Sequence, residues 1–218
     1  NDPTPGNATR VQLPDTDVLG SLNVGDRILL NDGKIEMRVD FASPERVDAT
    51  VVRGNEIWSR RGFNLPDTEI NTSVLTTKDR ADLEYAITKN PDYVAISFVQ
   101  KPEDVAEVRD FITARTAHPI KIIAKIERPN AVERITDIAA VADGIMIARG
   151  DLAVEVPYAE VPAISRHIIR ECRKMNKPVI VATQMLGSMV ASEFPTRAEI
   201  TDVANAAYLR ADSTMTSE

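Results

Sequence analysis

The chain has 218 residues, of which 43% are hydrophobic and 27% are charged, a balance that is ordinary for a globular protein. Its 33 acidic residues outnumber 26 basic ones, and the net charge of −7 argues against a protein whose main role is to bind nucleic acid. The sequence contains no run of about 18 apolar residues, the length that would predict a membrane-spanning helix. The opening NDPTPGNATR lacks the apolar segment of a signal peptide. Because Cys172 is the only cysteine, an internal disulfide and a cysteine-based metal cage are excluded, and we expect a cytoplasmic protein.

Residues 1–66 have the pattern of a small all-β domain. Apolar Ile35, Met37 and Val39 alternate with charged residues, as expected for a strand with one buried face. An Asp-Gly pair between two strand-like runs is a typical hairpin turn. The predicted hairpins pair residues 27–30 with 34–39 and residues 47–52 with 56–59, around turns at 31–33 and 53–55.

Residues 67–218 instead alternate short apolar runs with helical patterns. The runs begin roughly 24–35 residues apart, which is the spacing of strand–helix–strand units with parallel strands. Their almost continuous Val and Ile content predicts strands that are covered on both faces. The predicted strands are residues 93–99, 120–126, 144–149, 178–183 and 213–217.

The segments between these strands carry helix signals. Thr76 and Asp79 form a predicted capping box, and Pro102 occupies a first-turn position in the next helix. Apolar residues at helical spacing mark the other helices: Val105, Val108 and Ile112; Val132, Ile135 and Ile138; Ile164, Ile168 and Cys172; and a last helix over residues 197–209.

This succession of strands and helices predicts an α/β fold. None of the glycine-rich turns that bind nucleotide phosphates follows a strand, which favours a (β/α)8 barrel over a doubly wound sheet. A complete barrel needs about 250 residues, more than residues 67–218 provide. We therefore predict a partial TIM (β/α)8 barrel over residues 67–218, preceded by the all-β domain over residues 1–66.

Polar side chains gather where the predicted strands end, which is where barrel enzymes place their active sites. Lys125 and Glu127 are two residues apart on one strand and therefore face the same way, continuing the direction of Ile123. The candidate site residues are Ser97, Lys125, Glu127, Arg149, Gly150, Asp151 and Thr183.

The chemistry of these side chains suits an anionic substrate and a divalent cation. Glu127 and Asp151 end neighbouring strands, and Mg²⁺ or Mn²⁺ is commonly held by one or two carboxylates together with substrate oxygens. Lys125 supplies a positive charge for a phosphate or an enolate. Gly150 permits close approach of the backbone, and N–H groups of the 149–151 turn offer donors to an anion.

Each residue also has an ordinary structural explanation. Lys125 and Glu127 fit a solvated strand edge, Asp151 fits a helix cap, and Thr183 fits a β-branched filler of the core. The convergence of several strand ends, each polar where the fold places chemistry, favours the functional interpretation. His118 and His167 receive no catalytic role, because one lies beside a loop proline and the other in the middle of a helix.

Several stretches of the chain resemble the pyruvate kinase family in order and spacing. They are IIAKIERPNAV (122–132), DGIMIARGDLAVEVP (143–157), KPVIVATQMLGSM (177–189) and PTRAEITDVANA (195–206), with VGDRILLNDGKIEMRV (24–39) and SRRGFNLP (59–66) upstream. The upstream stretches are similar to the second half of the small lid domain of that family. The resemblance thus implies that residues 1–66 are a partial β-barrel lid domain and residues 67–218 are barrel strands four to eight.

The resemblance implies the reaction of phosphoenolpyruvate with ADP to give pyruvate and ATP in glycolysis. In the family's pattern Lys125 contacts the transferred phosphoryl group and the enolate, with Ser97 beside it. Glu127 and Asp151 match ligands of Mg²⁺ or Mn²⁺. Thr183 lies near the substrate carboxylate and the protonated carbon. The backbone amides of Arg149, Gly150 and Asp151 hold that carboxylate, and Arg61 stands where many members have a nucleotide-contacting lysine.

The same resemblance implies that parts of the enzyme lie outside this sequence. The family's first three barrel strands, which carry a phosphate-binding arginine and the K⁺ ligands, have no counterpart here. We therefore expect the 218-residue chain to have little or no kinase activity and to associate through open sheet edges. Family members form homo-oligomers, usually tetramers.

Two other functions compete with this one. A Mg²⁺-dependent lyase acting on pyruvate-like enolates would use the same metal and barrel chemistry, but it would not need the nucleotide-covering lid of residues 24–66. A non-catalytic fragment or interaction module is the third alternative.

Overall fold

The computed structural model describes residues 6–7, 9–11, 16–57, 62–68 and 73–216. The chain divides into two compact units, Asn1–Thr72 and Ser73–Glu218. The sequence prediction placed this boundary at residue 66.

The first unit is built on an antiparallel sheet with strand order β3-β2-β1-β4. The predicted hairpin between β1 and β2 is confirmed, and Asn31, Asp32 and Gly33 occupy its turn with positive φ angles of 52°, 56° and 75°. The elements of this unit are α1 (Thr16–Leu19), β1 (Arg27–Leu30), β2 (Ile35–Ala42), β3 (Val47–Arg53) and β4 (Phe63–Asn64).

The second predicted hairpin is absent from the residues that the structure describes. β3 pairs with β2, while Glu56 and Ile57 belong to no strand, and positions 58–59 lie outside the described residues. The alternation on β2 is confirmed at Ile35 and Val39, which are buried, while Met37 between them is only half-buried.

The second unit is built on a parallel sheet whose strands follow one another in chain order, β5-β6-β7-β8-β9. This order has no point of reversal, so the sheet is the wall of a barrel rather than a doubly wound sheet. Its strands are β5 (Tyr93–Ile96), β6 (Lys121–Ile126), β7 (Gly144–Ala148), β8 (Val179–Ala182) and β9 (Ser213–Met215). The predicted α/β fold is confirmed.

Helices cover the outer face of this sheet. They are α2 (Thr77–Ile87), α3 (Pro102–Thr113), α4 (Pro129–Glu133), α5 (Ile135–Val141), α6 (Arg149–Glu155), α7 (Val161–Lys174) and α8 (Arg197–Tyr208). The capping box at Thr76 and Asp79 and the first-turn position of Pro102 are both observed. The pattern around Ile135 predicted a continuous helix, but Arg134 adopts φ −99° and ψ 18° and divides it into α4 and α5.

Alternating residues of each strand pack on opposite faces of the sheet. Ile122 and Ile126 of β6 belong to the large core beneath the helices. Ile123 of the same strand joins Met146 and Ala182 in a smaller cluster on the other face. Lys125 and Glu127 continue the register of Ile123, which brings them to the inner face at the end of β6. None of the described helices is both long and apolar enough to cross a membrane.

Replacing a core side chain of α7 tests this assignment of faces. Ile168 is fully buried, so Ile168→Ala is expected to lower the free energy of unfolding by about 2–5 kcal/mol. Ile200 on α8 is 55% exposed, and Ile200→Ala is expected to change the free energy by less than about 0.5 kcal/mol. Urea unfolding of both variants would contradict the assignment if their losses of stability were equal.

Candidate active site

The centre of the site is an ion pair at the carboxyl end of β6. Lys125 Nζ lies 2.7 Å from Glu127 Oε1 and donates a hydrogen bond of 2.7 Å to Ser97 Oγ. Three of the predicted site residues therefore meet, because the barrel wall places the ends of β5 and β6 side by side. The Lys125 side chain is 25% exposed, so the lysine is only partly enclosed.

Glu127 is almost completely enclosed, with a side chain that is 1% exposed. Its second carboxylate oxygen, Oε2, accepts a hydrogen bond of 2.7 Å from the backbone N–H of Phe98. Burial raises the pKa of Glu127 above its ordinary value of 4.5, while the hydrogen bonds from Lys125 and Phe98 act in the opposite direction. A buried carboxylate with a raised pKa at strand ends is typical of a functional site.

The backbone of Phe98 is unusual in a way that serves this contact. Its φ angle is 58°, which is uncommon for a residue with a bulky side chain. This conformation accompanies the donation of its N–H to Glu127, and Phe98 as a whole is 57% exposed. The role of Phe98 could not be predicted, because every residue except proline has a backbone N–H and no sequence motif marks the one that donates to a buried carboxylate.

Asp151 lies in the first turn of α6 and is exposed. Its negative charge is close enough to raise the pKa of Glu127 further, although the effect is smaller than that of burial. The two predicted carboxylates are therefore close enough to repel each other electrostatically. The 149–151 segment, expected to be an open turn, is instead the start of a helix that follows β7 directly.

Arg149 uses its side chain to hold the framework together. It is buried, and Nη1 lies 2.8 Å from both carboxylate oxygens of Asp202 on α8. Its Nη2 donates to the Thr183 carbonyl at 2.6 Å, and Nε donates to the Ala182 carbonyl at 3.3 Å. The guanidinium group thus joins the ends of β7 and β8 to α8, which leaves only the backbone of Arg149 for the predicted substrate contact.

Thr183 and Gly150 meet directly. The Gly150 N–H donates a hydrogen bond of 2.7 Å to Thr183 Oγ1, and a Cβ atom on Gly150 would lie 3.4 Å from the same oxygen. Thr183 has a φ angle of 67° and Gln184 one of 56°, a conformation that strains a β-branched residue. The structural explanation of Thr183 as a core filler does not account for such strain, which is typical of functional sites.

The donor set fits a magnesium-like cation. Carboxylate oxygens of Glu127 and Asp151 are the ligands that Mg²⁺ prefers, and a cation between them would relieve their repulsion. Within the described ranges, no three His, Cys, Asp or Glu side chains converge on a position for a metal ion. A cation here would depend on the two carboxylates and on substrate or water oxygens.

Other predicted or relevant positions lie outside this cluster. Arg61 and the final residues 217–218 are outside the described residues.

The loop after β8 is held by Glu199 of α8, which accepts hydrogen bonds from the backbone and hydroxyl of Ser188. The same carboxylate also completes a capping box with Thr196, a pattern that can be recognised in the sequence.

Comparison with known proteins identifies the family of this chain. The model of the pyruvate kinase barrel domain matches residues 3–218. The chain belongs to the pyruvate kinase family. It is 46% identical to a pyruvate kinase of Methylorubrum extorquens, covering 100% of this chain and 45% of that protein. It is 41% identical to a pyruvate kinase of Geobacillus stearothermophilus, covering 97% of this chain and 36% of that protein.

A solved structure agrees with these relatives. The crystal structure of a pyruvate kinase from Cryptosporidium parvum matches 93% of this chain and 42% of that chain, with a TM-score of 0.88 and 36% identity. The chain therefore spans less than half the length of the pyruvate kinases that it matches.

The anchoring of the loop after β8 makes a prediction about pH. Hydrogen bonds from the Ser188 hydroxyl and N–H, and then from the Thr196 N–H, lower the pKa of Glu199 from 4.5 to about 2. The stabilisation from this carboxylate is therefore complete above about pH 4.5 and is lost as the pH falls toward 2. Glu199→Gln is expected to lower the thermal midpoint near neutral pH, by an amount that shrinks toward pH 2.

The matched control is Glu193→Gln, which removes an exposed carboxylate from the same loop. Its thermal midpoint is expected to follow that of the parent chain at every pH. A Glu199→Gln difference that stays constant between neutral and acidic pH would contradict the assignment.

Proposed function

We propose that this chain carries the phosphoryl-transfer site of a pyruvate kinase, which acts on phosphoenolpyruvate and ADP. The observation that supports it most directly is the contact of Lys125 with both Ser97 and the buried Glu127. Family membership supplies the reaction class, and the strand-end geometry supplies the groups that such a reaction needs. The P–O bond of the enol phosphate breaks, a new P–O bond forms with a terminal oxygen of ADP, and the enolate gains a proton at carbon.

In this proposal Lys125 binds the phosphoryl group and stabilises the negative charge that develops on the enolate oxygen. Phosphoryl transfer depends mainly on positioning and on charge stabilisation, and a preorganised ammonium group contributes both. Glu127 fixes the ammonium from one side and Ser97 from the other, so Lys125 needs little reorganisation when the substrate binds.

Glu127 and Asp151 would hold the divalent cation, Mg²⁺ or Mn²⁺. When bound, such a cation offsets negative charge on the phosphoryl and enolate oxygens without transferring a proton. Because Lys125 already contacts Glu127 Oε1, this carboxylate would serve both the lysine and the cation.

In this proposal Thr183 and the first turn of α6 would contact the substrate carboxylate. The Thr183 hydroxyl accepts the Gly150 N–H, so it orients the turn whose other backbone amides would bind the substrate carboxylate. In the family's pattern the same hydroxyl would also stand near the carbon that receives the proton. A contact between ADP and Arg61, a requirement for K⁺, formation of a tetramer and a cytoplasmic location remain predictions from the family.

The competing functions have less support. Membership of the pyruvate kinase family leaves no observation that favours a metal-dependent lyase.

We expect turnover of the 218-residue chain with phosphoenolpyruvate, ADP, Mg²⁺ and K⁺ to be very low. A lactate dehydrogenase-coupled assay that gave turnover near that of a full-length relative would contradict this expectation.

Mn²⁺ binding tests the two carboxylates. The parent chain is expected to bind Mn²⁺ weakly, and Glu127→Gln with Asp151→Asn is expected to abolish that binding, because the amides lose the negative charge. Electron paramagnetic resonance of free Mn²⁺ measures the bound fraction. The control is Glu103→Gln with Asp137→Asn, which removes two exposed carboxylates from α3 and α5. Equal binding by both double variants would show that the cation site is wrongly placed.

Binding of phosphoenolpyruvate tests Lys125. Lys125→Met is expected to weaken binding in the presence of Mn²⁺ by about tenfold or more, because a charge-assisted hydrogen bond contributes about 1.5–3 kcal/mol. Lys121→Met, at the exposed start of the same strand, is expected to leave the affinity unchanged. Isothermal titration that found equal affinities for the two variants would refute the role of Lys125.

A further inference from the structure

A buried polar cluster lies next to the proposed cation site. Arg128 and Glu155 are each 5% exposed, and Arg128 Nε lies 3.2 Å from Glu155 Oε2. Gln100 Oε1 accepts hydrogen bonds from Arg128 Nη1 at 3.2 Å and from Asn130 Nδ2 at 2.9 Å. None of these four residues belongs to the site described above.

The positions of these residues in the chain connect them to the two carboxylates. Arg128 directly follows Glu127, and Glu155 lies one helical turn after Asp151 on α6. The Arg128–Glu155 ion pair therefore joins the segment that carries one carboxylate to the helix that carries the other. Gln100 extends the connection to the loop after β5, which supplies Ser97 and Phe98.

Stability alone is a poor explanation for this arrangement. Burying two charges costs free energy that their attraction only partly restores, and apolar residues of similar size often pack as well in their place. A guanidinium group does offer something that apolar packing lacks, because its planar donors fix the distance and direction of two partners at once. Here those partners are Glu155 and Gln100.

We propose that Arg128 and Glu155 are positioning residues, which hold Glu127 and Asp151 at the separation that a divalent cation requires. This inference rests on the proposed function. α6 is only seven residues long, with Asp151 in its first turn and Glu155 as its last residue. The ion pair of Glu155 with Arg128 therefore fixes the far end of the short helix to the segment that follows Glu127.

The test compares Mn²⁺ affinity and thermal stability in the full 218-residue chain. Arg128→Met with Glu155→Leu removes both charges and keeps side chains of similar size, so we expect the fold to be retained while the directional link is lost. Mn²⁺ affinity is expected to fall by about tenfold, as for other residues that orient metal ligands. A pair with a structural role alone would change the thermal midpoint and leave the affinity unaltered.

A matched control removes an ion pair that contacts no site residue. Arg80 of α2 pairs with Glu107 of α3, and Arg80→Met with Glu107→Leu changes the net charge by the same amount, zero. This variant is expected to bind Mn²⁺ like the parent chain. Glu155→Gln keeps the shape of the side chain and removes one charge, and it is also expected to weaken Mn²⁺ binding. This variant decides the question if the double variant does not fold.

The outcomes separate the two proposals. Parent-like Mn²⁺ affinity in folded Arg128→Met/Glu155→Leu or in Glu155→Gln overturns the positioning role and leaves the cation site standing. Parent-like affinity in Glu127→Gln/Asp151→Asn overturns the cation site itself, and the positioning role with it. If the Arg128/Glu155 variants and the Glu127/Asp151 variant all lose Mn²⁺ affinity while the α2–α3 control does not, the result supports the cation site and the positioning role.

Discussion

The buried carboxylate of Glu127 is the constraint on which the rest of the site depends. A charge in a 1% exposed position is costly, and the structure compensates for it with the Lys125 ammonium group and the Phe98 backbone N–H. Those two contacts in turn fix the conformation of the loop after β5 and the direction of the lysine. The need to compensate one buried carboxylate thus holds Glu127, Lys125 and the Phe98 backbone in a fixed arrangement.

Much of this arrangement could be predicted from the sequence, because its causes are local or periodic. The period of two on β6 placed Lys125 and Glu127 on one face, and the spacing of Val- and Ile-rich runs predicted parallel strands in chain order. The capping box at the start of α2 could be predicted for the same reason, because Thr76 and Asp79 lie within four positions of each other.

The parts that could not be predicted depend on contacts between distant segments or on backbone conformation. Nothing in the residues around Arg128 indicates that Glu155 lies beside it, and no pattern predicts the left-handed conformations of Phe98 and Thr183. The division of α4 from α5 at Arg134 has the same origin, because helical periodicity continues across a break that only the backbone angles reveal.

Arg149 carries a consequence for the interpretation of mutagenesis. Its backbone begins α6 beside the proposed substrate pocket, while its guanidinium group binds Asp202 and two carbonyl groups at the end of β8. An alanine scan of substrate binding would show a large loss at this position. The loss would arise because the ends of β7 and β8 and α8 shift, and not because a group that contacts the substrate has been removed. Pairing each Arg149 variant with one at Asp202 distinguishes these causes, since non-additive effects would assign the damage to architecture.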